Sequence, residues 1–175
     1  MNITSLTEIF SSEEIAARVK SLAEKINKDY DGKDLVVLCV LKGAFMFCSD
    51  LVKELTVRPQ IDFIRLTSYG NTADSSGNVV LTKDVELPIA GRHVLIVEDV
   101  VDTGFSMAFL QAELHKRGVK SLRLAALIDK LERRETDVTV DYAGFSLREG
   151  FIVGYGLDYA ERFRELPSIY VASLE

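Results

Sequence analysis

Three strand-length runs in which apolar residues predominate constrain the fold of this 175-residue chain more than any other feature. They occupy residues 35–41, 93–97 and 122–128. Such runs suit strands that are covered on both faces, as in a parallel sheet. Helical patterns lie between them, so the sequence predicts an α/β fold with a mainly parallel, twisted central sheet flanked by helices. No linker or internal repeat interrupts the pattern, and we expect a single domain over residues 1–175.

Local signals predict the remaining elements. Ser11 and Glu14 have the spacing of a capping box, and an apolar stripe at helical period then predicts a helix through about residue 27. Further helices are predicted over residues 44–55 and 106–116. The polar stretch 69–78 has no periodicity and is predicted to be a loop. Shorter strands are expected at residues 61–68, 79–85, 138–140, 151–154 and 169–172.

Composition disfavours several classes of protein. The net charge of −6 and the pI of about 5.1 argue against a general nucleic-acid binder. No run approaches the ~20 apolar residues of a membrane span, and the first residues are too polar for a signal peptide. Cys39 and Cys48 lie in apolar surroundings without metal-site spacing, so they are predicted to be reduced core residues. We therefore expect a cytoplasmic protein.

The stretch VLIVEDVVDTGFSM, residues 94–107, carries most of the chemical information. An apolar strand ends in Glu98 and Asp99, and Asp102 precedes a glycine turn and a predicted helix. Ligands of parallel sheets bind at the carboxyl ends of the strands, and a helix N-terminus offers N–H groups to phosphate. The stretch predicts a sugar-phosphate site, although taken alone the acids also suit a solvated loop and Asp102 an N-cap. Neither a Walker loop nor a GxGxxG motif is present in the sequence.

The same stretch resembles the 5-phosphoribosyl-1-pyrophosphate-binding motif of the type I phosphoribosyltransferases. The shared order is an apolar strand, two acids, two apolar residues, Asp-Thr-Gly and a hydroxyl residue. The resemblance implies that Glu98 and Asp99 hold the ribose hydroxyls. It implies that the 5′-phosphate is held by Asp102, Thr103, Gly104, Phe105 and Ser106. The bulk of Phe105 is expected to be tolerated, because such loops bind phosphate through backbone N–H groups.

Two further segments resemble the hypoxanthine/guanine branch of this family at its pyrophosphate and lid sites. Lys42 and Gly43 resemble a turn, often with a non-proline cis peptide, that binds pyrophosphate, and Arg164 resembles a second pyrophosphate clamp. Ser68 and Tyr69 resemble a mobile lid that closes over the reaction centre and excludes water. Read alone, the turn suits an exposed lysine, and the lid suits a long hairpin connection.

The two remaining segments of the resemblance concern the purine. Lys130 resembles a lysine that donates to the purine O6, and an ammonium group, which only donates, rejects a 6-amino base. Phe151 resembles a residue that stacks on the purine, with the Ile152 backbone bonded to the base edge and the backbone near Ile152 and Asp158 sensing the carbon-2 substituent. Read alone, Lys130 equally suits a surface salt bridge, and Phe151 and Tyr155 suit the core. The implied ligands of a magnesium ion are Glu98, Asp99 and Asp158.

The resemblance as a whole implies transfer of phosphoribose from phosphoribosyl pyrophosphate to hypoxanthine and guanine, with Mg²⁺ as cofactor. Asp102 is the implied catalytic residue, which accepts the proton of purine N7. A small hood and a homodimer or homotetramer are also implied, with no nucleic-acid or membrane partner. A xanthine-preferring enzyme, an RNA-binding regulator on the same fold and a non-catalytic sugar-phosphate binder stay open as alternatives. The regulator requires a basic face, whereas the chain has 21 Lys and Arg residues against 27 Asp and Glu residues.

Overall fold

The computed structural model describes residues 3–69, 78–131, 134–148 and 150–175. The helices in these ranges are α1 (Ser12–Asp29), α2 (Phe45–Glu54) and α3 (Phe105–Lys116). The strands are β1 (Ile3–Phe10), β2 (Leu35–Leu41), β3 (Gln60–Tyr69), β4 (Asn78–Lys83), β5 (His93–Val101), β6 (Ser121–Asp129), β7 (Tyr142–Ser146), β8 (Ile152–Val153) and β9 (Ile169–Leu174). The predicted helices are therefore confirmed to within two or so residues at each end.

A six-stranded sheet with the order β4-β3-β2-β5-β6-β7 lies at the centre of the molecule. All neighbouring pairs in it are parallel except β3 and β4, which form an antiparallel ribbon. The three apolar runs of the sequence are β2, β5 and β6, which lie side by side. The prediction of a mainly parallel central sheet flanked by helices is confirmed.

The central strands contain continuous apolar runs because each strand contributes to two cores. Val37 and Cys39 of β2 face one core, which they share with α1 and α2. Val36 and Leu38 face the other core and pack there with Leu110 and other residues of α3. Successive side chains of a strand point to opposite faces of the sheet, so a strand covered on both faces has no polar positions to alternate with.

Helix α1 begins with the predicted capping box. The Ser11 hydroxyl accepts a hydrogen bond from the Glu14 backbone N–H at 3.2 Å, and the Glu14 carboxylate accepts one from the Ser11 N–H at 2.8 Å. Both bonds satisfy donors that the first turn of a helix leaves unpaired. The apolar stripe of the helix is buried against α2 and the sheet, as predicted.

A second, antiparallel sheet with the order β1-β9-β8 forms the expected small hood. Strand β1 was not predicted, because five of its eight residues are exposed and its sequence ITSLTEIF has no regular apolar alternation. Its position is fixed by pairing with β9, from Ile3 opposite Leu174 to Phe10 opposite Ile169. Such long-range pairing leaves no local signal in the sequence.

One strand prediction is wrong. Residues 138–140 are not a strand, and the strand that joins the edge of the sheet beside β6 is β7, which begins at Tyr142. Val138 is apolar because it is buried in the core shared with α3, not because it pairs with β6. The Asp141 carboxylate, just before β7, accepts a hydrogen bond from the Leu124 N–H at 2.9 Å and so ties this connection to the sheet.

Cys39 and Cys48 are buried free thiols, which confirms their prediction as core residues. The neighbouring Cys48 sulfur and burial both raise the pKa of the Cys39 thiol. In the described part of the chain, no helix has the length and apolar character that crossing a membrane requires.

Candidate active site

The carboxyl ends of three adjacent parallel strands bring most of the predicted site residues to one edge of the sheet. β2 ends at Leu41, β5 at Val101 and β6 at Asp129. The residues that follow them are Lys42 with Gly43, the loop 102–106, and Lys130. The ends of β5 and β6 are joined directly, because the Lys130 N–H donates to the Val101 carbonyl at 2.9 Å.

Glu98 and Asp99, the two acids at the end of β5, are closely coupled. The Glu98 side chain lies almost wholly inside the protein, at 8 % exposure, and its carboxylate accepts a hydrogen bond from the Asp99 N–H at 2.9 Å. The Asp99 carboxylate accepts one from the Val100 N–H at 2.8 Å. Burial and the adjacent Asp99 charge raise the pKa of the Glu98 carboxyl well above its usual range. Glu98 therefore holds a proton more tightly than an exposed glutamate does.

The loop 102–106 surrounds a cavity of about 220 Å³. Gly104 is the N-cap of α3 and has φ of +92°, a conformation that favours glycine. No acidic residue lies in the first turn of α3, so the partial positive charge of its amino end is not offset by the helix's own side chains. Phe105 is 37 % exposed. The cavity is lined by Glu98, Asp99, Val100, Val101, Asp102, Thr103, Gly104, Ser106 and Met107.

The predicted turn after β2 packs against the acids. The Leu41–Lys42 peptide bond is cis, as the resemblance implied. A Cβ atom on Gly43 would lie 1.6 Å from Asp99 Oδ2, so only glycine lets this turn approach the carboxylate so closely. On the other side of the turn, a Cβ atom on Gly156 would lie 2.2 Å from the Gly43 carbonyl oxygen. The turn thus lies against the Asp99 side chain and against the Gly156 backbone.

Two cations predicted to bind pyrophosphate are linked by Glu161, which the sequence reasoning missed. The Lys42 ammonium group lies 2.8 Å from Glu161 Oε2, and the Arg164 guanidinium lies 3.4 Å from the same oxygen. Arg164 also pairs with Asp158 Oδ1 at 2.8 Å and donates to the Gly156 carbonyl at 2.7 Å. Hydrogen bonding to Lys42 lowers the pKa of the Glu161 carboxyl. Only its sequence position, three residues before Arg164, could have suggested Glu161.

The predicted purine residues lie beside this network. Lys130 is only 8 % exposed and its ammonium group donates to the Gly150 carbonyl at 3.1 Å, so an exposed surface salt bridge does not describe it. Phe151 is 41 % exposed and packs edge-to-face with Tyr159, with 5.5 Å between the ring centroids. Ile152 and Tyr155 are buried. Of the two aromatic residues, only Tyr155 fits the alternative of a core role.

The lid lies largely outside the described residues. Ser68 and Tyr69 end β3 and pair through the backbone with Val79 and Asn78 of β4, whereas residues 70–77 are not described. The first and last residues of the predicted loop 69–78 therefore belong to strands.

The site offers oxygen ligands for a metal but no complete protein cage. Among the residues that the structure describes, no three His, Cys, Asp or Glu side chains group as a metal site. Asp158 already pairs with Arg164 through Oδ1 and accepts the Glu161 N–H through Oδ2 at 2.9 Å. A hard cation that keeps several waters and binds substrate phosphates needs only one or two carboxylates. The adjacent acids Glu98 and Asp99 fit that requirement better than Asp158 does.

Comparison with known proteins defines the class. The model of the phosphoribosyl transferase domain matches residues 5–160, and the chain belongs to that family. It is 40 % identical over 163 residues to a hypoxanthine-guanine phosphoribosyltransferase of Bacillus subtilis, covering 93 % of this chain and 91 % of the relative. The crystal structure of a Bacillus anthracis hypoxanthine-guanine phosphoribosyltransferase has a TM-score of 0.92 at 40 % identity, covering 97 % and 99 %. A Trypanosoma cruzi hypoxanthine phosphoribosyl transferase has a TM-score of 0.90 at 38 % identity, covering 95 % and 91 %.

Proposed function

We propose that the protein is a purine-salvage enzyme that transfers phosphoribose from phosphoribosyl pyrophosphate to hypoxanthine and guanine. The observation that carries the proposal is the convergence of the acid pair, the phosphate-type loop and Lys130 at one sheet edge. The names of the relatives, which are similar over more than nine-tenths of the chain, point to the same activity. The products are the nucleoside 5′-monophosphate and pyrophosphate.

The phosphoribose is assigned to the cavity at the end of β5. Glu98 and Asp99 meet the 2′- and 3′-hydroxyls, since carboxylates accept hydrogen bonds from a diol. The 5′-phosphate binds to the loop 102–106, at the amino end of α3, where backbone N–H groups and the hydroxyls of Thr103 and Ser106 are available. In this assignment the acids of the cavity bind the hydroxyl end of the phosphoribose, and the loop binds its phosphate end.

The base is assigned to the space between Lys130 and Phe151. The buried Lys130 ammonium group is already held by the Gly150 carbonyl, and its remaining donors suit the O6 of a 6-oxopurine. Phe151 is 41 % exposed even though it packs against Tyr159, so part of its ring surface is accessible for stacking on the purine. The Ile152 backbone is assigned to the base edge, as the resemblance implies. Xanthine shares the O6 group, so a xanthine-preferring enzyme is the alternative within this assignment.

The reaction proposed for these residues is a displacement at C1′ of the ribose. Purine N9 forms a bond to C1′ while the bond from C1′ to the pyrophosphate oxygen breaks, and pyrophosphate leaves with the electron pair. Asp102, one of the residues that line the cavity, accepts the proton that purine N7 loses. Ser68 and Tyr69 are assigned to a lid that excludes water from the activated sugar.

Lys42, Gly43 and Arg164 are assigned to the pyrophosphate group. The turn at Gly43 touches Asp99, so a pyrophosphate bound there would lie next to the ribose acids. Magnesium is the proposed cofactor, held by Glu98 and Asp99 and, through water, by Asp158. When bound, it neutralises the charge that develops on the leaving pyrophosphate.

We also propose a homodimer or homotetramer, one phosphoribosyltransferase domain and a cytoplasmic location. An apolar groove of about 330 Å³ on α2 and β3 leaves Phe45, Ile61 and Phe63 about 40 % exposed, which suits contact with a second copy. The T. cruzi neighbour was studied for its oligomeric state. The single domain is supported by the pairing of β9 with β1, because it joins residues 169–174 to the region that the family model matches. The cytoplasmic location is supported by the two buried free thiols, which suit a reducing compartment. Light scattering of the purified protein decides the oligomeric state.

The activity is tested by mixing the protein with Mg²⁺, phosphoribosyl pyrophosphate and each of hypoxanthine, guanine, xanthine and adenine. Nucleotide formed from hypoxanthine and guanine, separated by chromatography, is the expected result. Turnover of xanthine alone would favour the alternative, and no nucleotide from any purine would refute the proposal. An RNA-binding regulator is disfavoured because Lys130 and Arg134, in the densest basic stretch of the sequence, are largely buried.

A further inference from the structure

Arg134, which no part of the proposed mechanism uses, lies directly behind the loop 102–106. Its side chain is only 13 % exposed. Its Nε donates to the Asp102 carbonyl at 3.1 Å, its Nη1 donates to the Val138 carbonyl at 2.6 Å, and its Nη2 pairs with the Asp129 carboxylate. A long, charged side chain is costly to bury, and here each of its three nitrogens has a partner.

The backbone next to Arg134 adds two further contacts to the same loop. The N–H groups of Glu135 and Thr136 both donate to the Thr103 carbonyl, at 3.0 and 3.1 Å. The Arg134 side chain also packs against Gly104, where a Cβ atom would lie 3.0 Å from Arg134 Cδ. Residues 134–136 therefore form a layer on the side of the loop that carries its carbonyl oxygens.

These contacts fix the direction of two N–H groups. In a trans peptide the C=O and the N–H point in opposite directions. Because the carbonyls of Asp102 and Thr103 point toward residues 134–136, the N–H groups of Thr103 and Gly104 point the other way. The loop residues line the cavity, and N–H groups turned away from the layer are the donors that an anion there requires.

We infer that Arg134 is a positioning residue, which holds the loop in the orientation that binds the 5′-phosphate. The inference rests on the proposed assignment of phosphoribose to this cavity. Arg134 also ties the loop to Asp129, the residue before the proposed purine donor Lys130. The same side chain therefore fixes the position of the loop relative to the end of β6, where the purine base is assigned.

Arg92 provides a matched control. Its side chain is 14 % exposed, and it donates to both oxygens of Asp34 at 2.6 and 2.7 Å, to Gln60 at 2.6 Å and to the Pro88 carbonyl at 3.3 Å. It lies just before β5, at the opposite end of that strand from the cavity. Arg92→Gln therefore removes a comparable set of hydrogen bonds from a place that does not contact the loop.

The experiment measures initial rates and thermal unfolding of Arg134→Gln, Arg134→Lys, Asp129→Asn and Arg92→Gln. Arg134→Gln is expected to raise the KM for phosphoribosyl pyrophosphate about 10- to 100-fold, the scale of a small misplacement of a binding group. The KM for hypoxanthine should change by less than about threefold. Arg134→Lys and Asp129→Asn should have KM values for phosphoribosyl pyrophosphate between those of wild type and Arg134→Gln. Arg92→Gln should lower Tm while leaving both KM values unchanged.

Two results would overturn the inference: an Arg134→Gln enzyme with an unchanged KM for phosphoribosyl pyrophosphate, or an equal rise caused by Arg92→Gln. If Arg134→Gln does not fold, Arg134→Lys decides by the same comparison. If the wild-type protein forms no nucleotide, the proposed function fails, and calorimetry with ribose 5-phosphate then tests the inference separately. Binding that weakens in Arg134→Lys but not in Arg92→Gln supports it, and equal or absent binding in all three proteins refutes it.

Discussion

The contact between Gly43 and Asp99 makes the sharpest prediction for the proposed site. An alanine at position 43 would place its Cβ atom 1.6 Å from Asp99 Oδ2 and 2.6 Å from Asp99 Cγ. Ordinary contact begins at about 3.4 Å, so either the carboxylate or the turn has to move by well over 1 Å. A misplacement of about 1 Å costs about 100-fold in rate when the group positions the substrate. We therefore expect Gly43→Ala to lose at least about 100-fold in kcat/KM for phosphoribosyl pyrophosphate.

Stability should change far less than activity. The clashing atoms belong to the end of a side chain that is able to rotate, and the hydrogen bond from the Val100 N–H to Asp99 is the main contact at risk. Loss of one such bond costs about 1 kcal/mol, which corresponds to about 2–4 °C in Tm for a chain of this size. Circular dichroism during heating measures the change.

Gly91→Ala is the matched control for this substitution. Gly91 has φ of +73° and no described atom within 4 Å of its added Cβ, so alanine there strains the backbone without touching the site. It should lower Tm by a few degrees, from a strain of about 1–2 kcal/mol, and leave kcat/KM unchanged. A folded Gly43→Ala enzyme that keeps more than a third of wild-type kcat/KM would show that the position of Asp99 is not needed for ribose binding.

Three further substitutions test other parts of the argument. Asp102→Asn removes the proposed proton acceptor and should lower kcat about 10²- to 10⁴-fold with KM nearly kept; a steady-state assay that finds normal turnover would remove Asp102 from that role. Lys130→Ala should raise KM for hypoxanthine and guanine far more than KM for phosphoribosyl pyrophosphate, and equal losses would contradict its assignment to O6. Asp62 accepts hydrogen bonds from the N–H groups of Phe63, Glu86 and Leu87, and although burial opposes ionisation, these bonds lower the pKa of its carboxyl. Asp62→Asn should destabilise by about 1–3 kcal/mol at pH 7. A lowered pKa in the folded state gives stability that is lost as pH falls. The difference in free energy of unfolding between wild type and Asp62→Asn, measured by urea titration, should therefore shrink below about pH 3.8. A difference that stays constant with pH would be evidence against ionisation of Asp62 as the cause.

The central sheet was predictable because its signals are local. Strand β2 is apolar throughout, and β5 and β6 contain the apolar runs 94–97 and 124–128, a pattern that follows directly from burial on both faces. Helix α1 was predictable to its first residue because the capping box acts over only three residues. By contrast, β1 depends on pairing with a strand more than 160 residues away, and the apolar residues at 138–140 reflect burial without strand pairing.

The candidate site shows the same division between local and long-range information. The order of residues 94–106 predicted a cavity lined by acids and a glycine turn, because those residues are consecutive. No sequence pattern indicated that Gly156 would press against Gly43 or that Arg134 would hold the loop from behind. Those contacts join segments 30 to more than 100 residues apart, so they follow from the topology of the sheet and hood.

The ion pairs around Glu161 bear on how the proposed site would hold and release pyrophosphate. Lys42 and Arg164, the proposed pyrophosphate cations, both lie near one Glu161 oxygen. The Lys42 and Glu161 side chains are 45 % and 63 % exposed, and exposed pairs of this kind are worth at most about 1 kcal/mol. Under the proposed assignment, pyrophosphate would therefore displace Glu161 from Lys42 at little cost. Arg164 is held differently, because its side chain is only 18 % exposed and also contacts Asp158 at 2.8 Å and the Gly156 carbonyl at 2.7 Å, so it would stay near the turn with or without pyrophosphate.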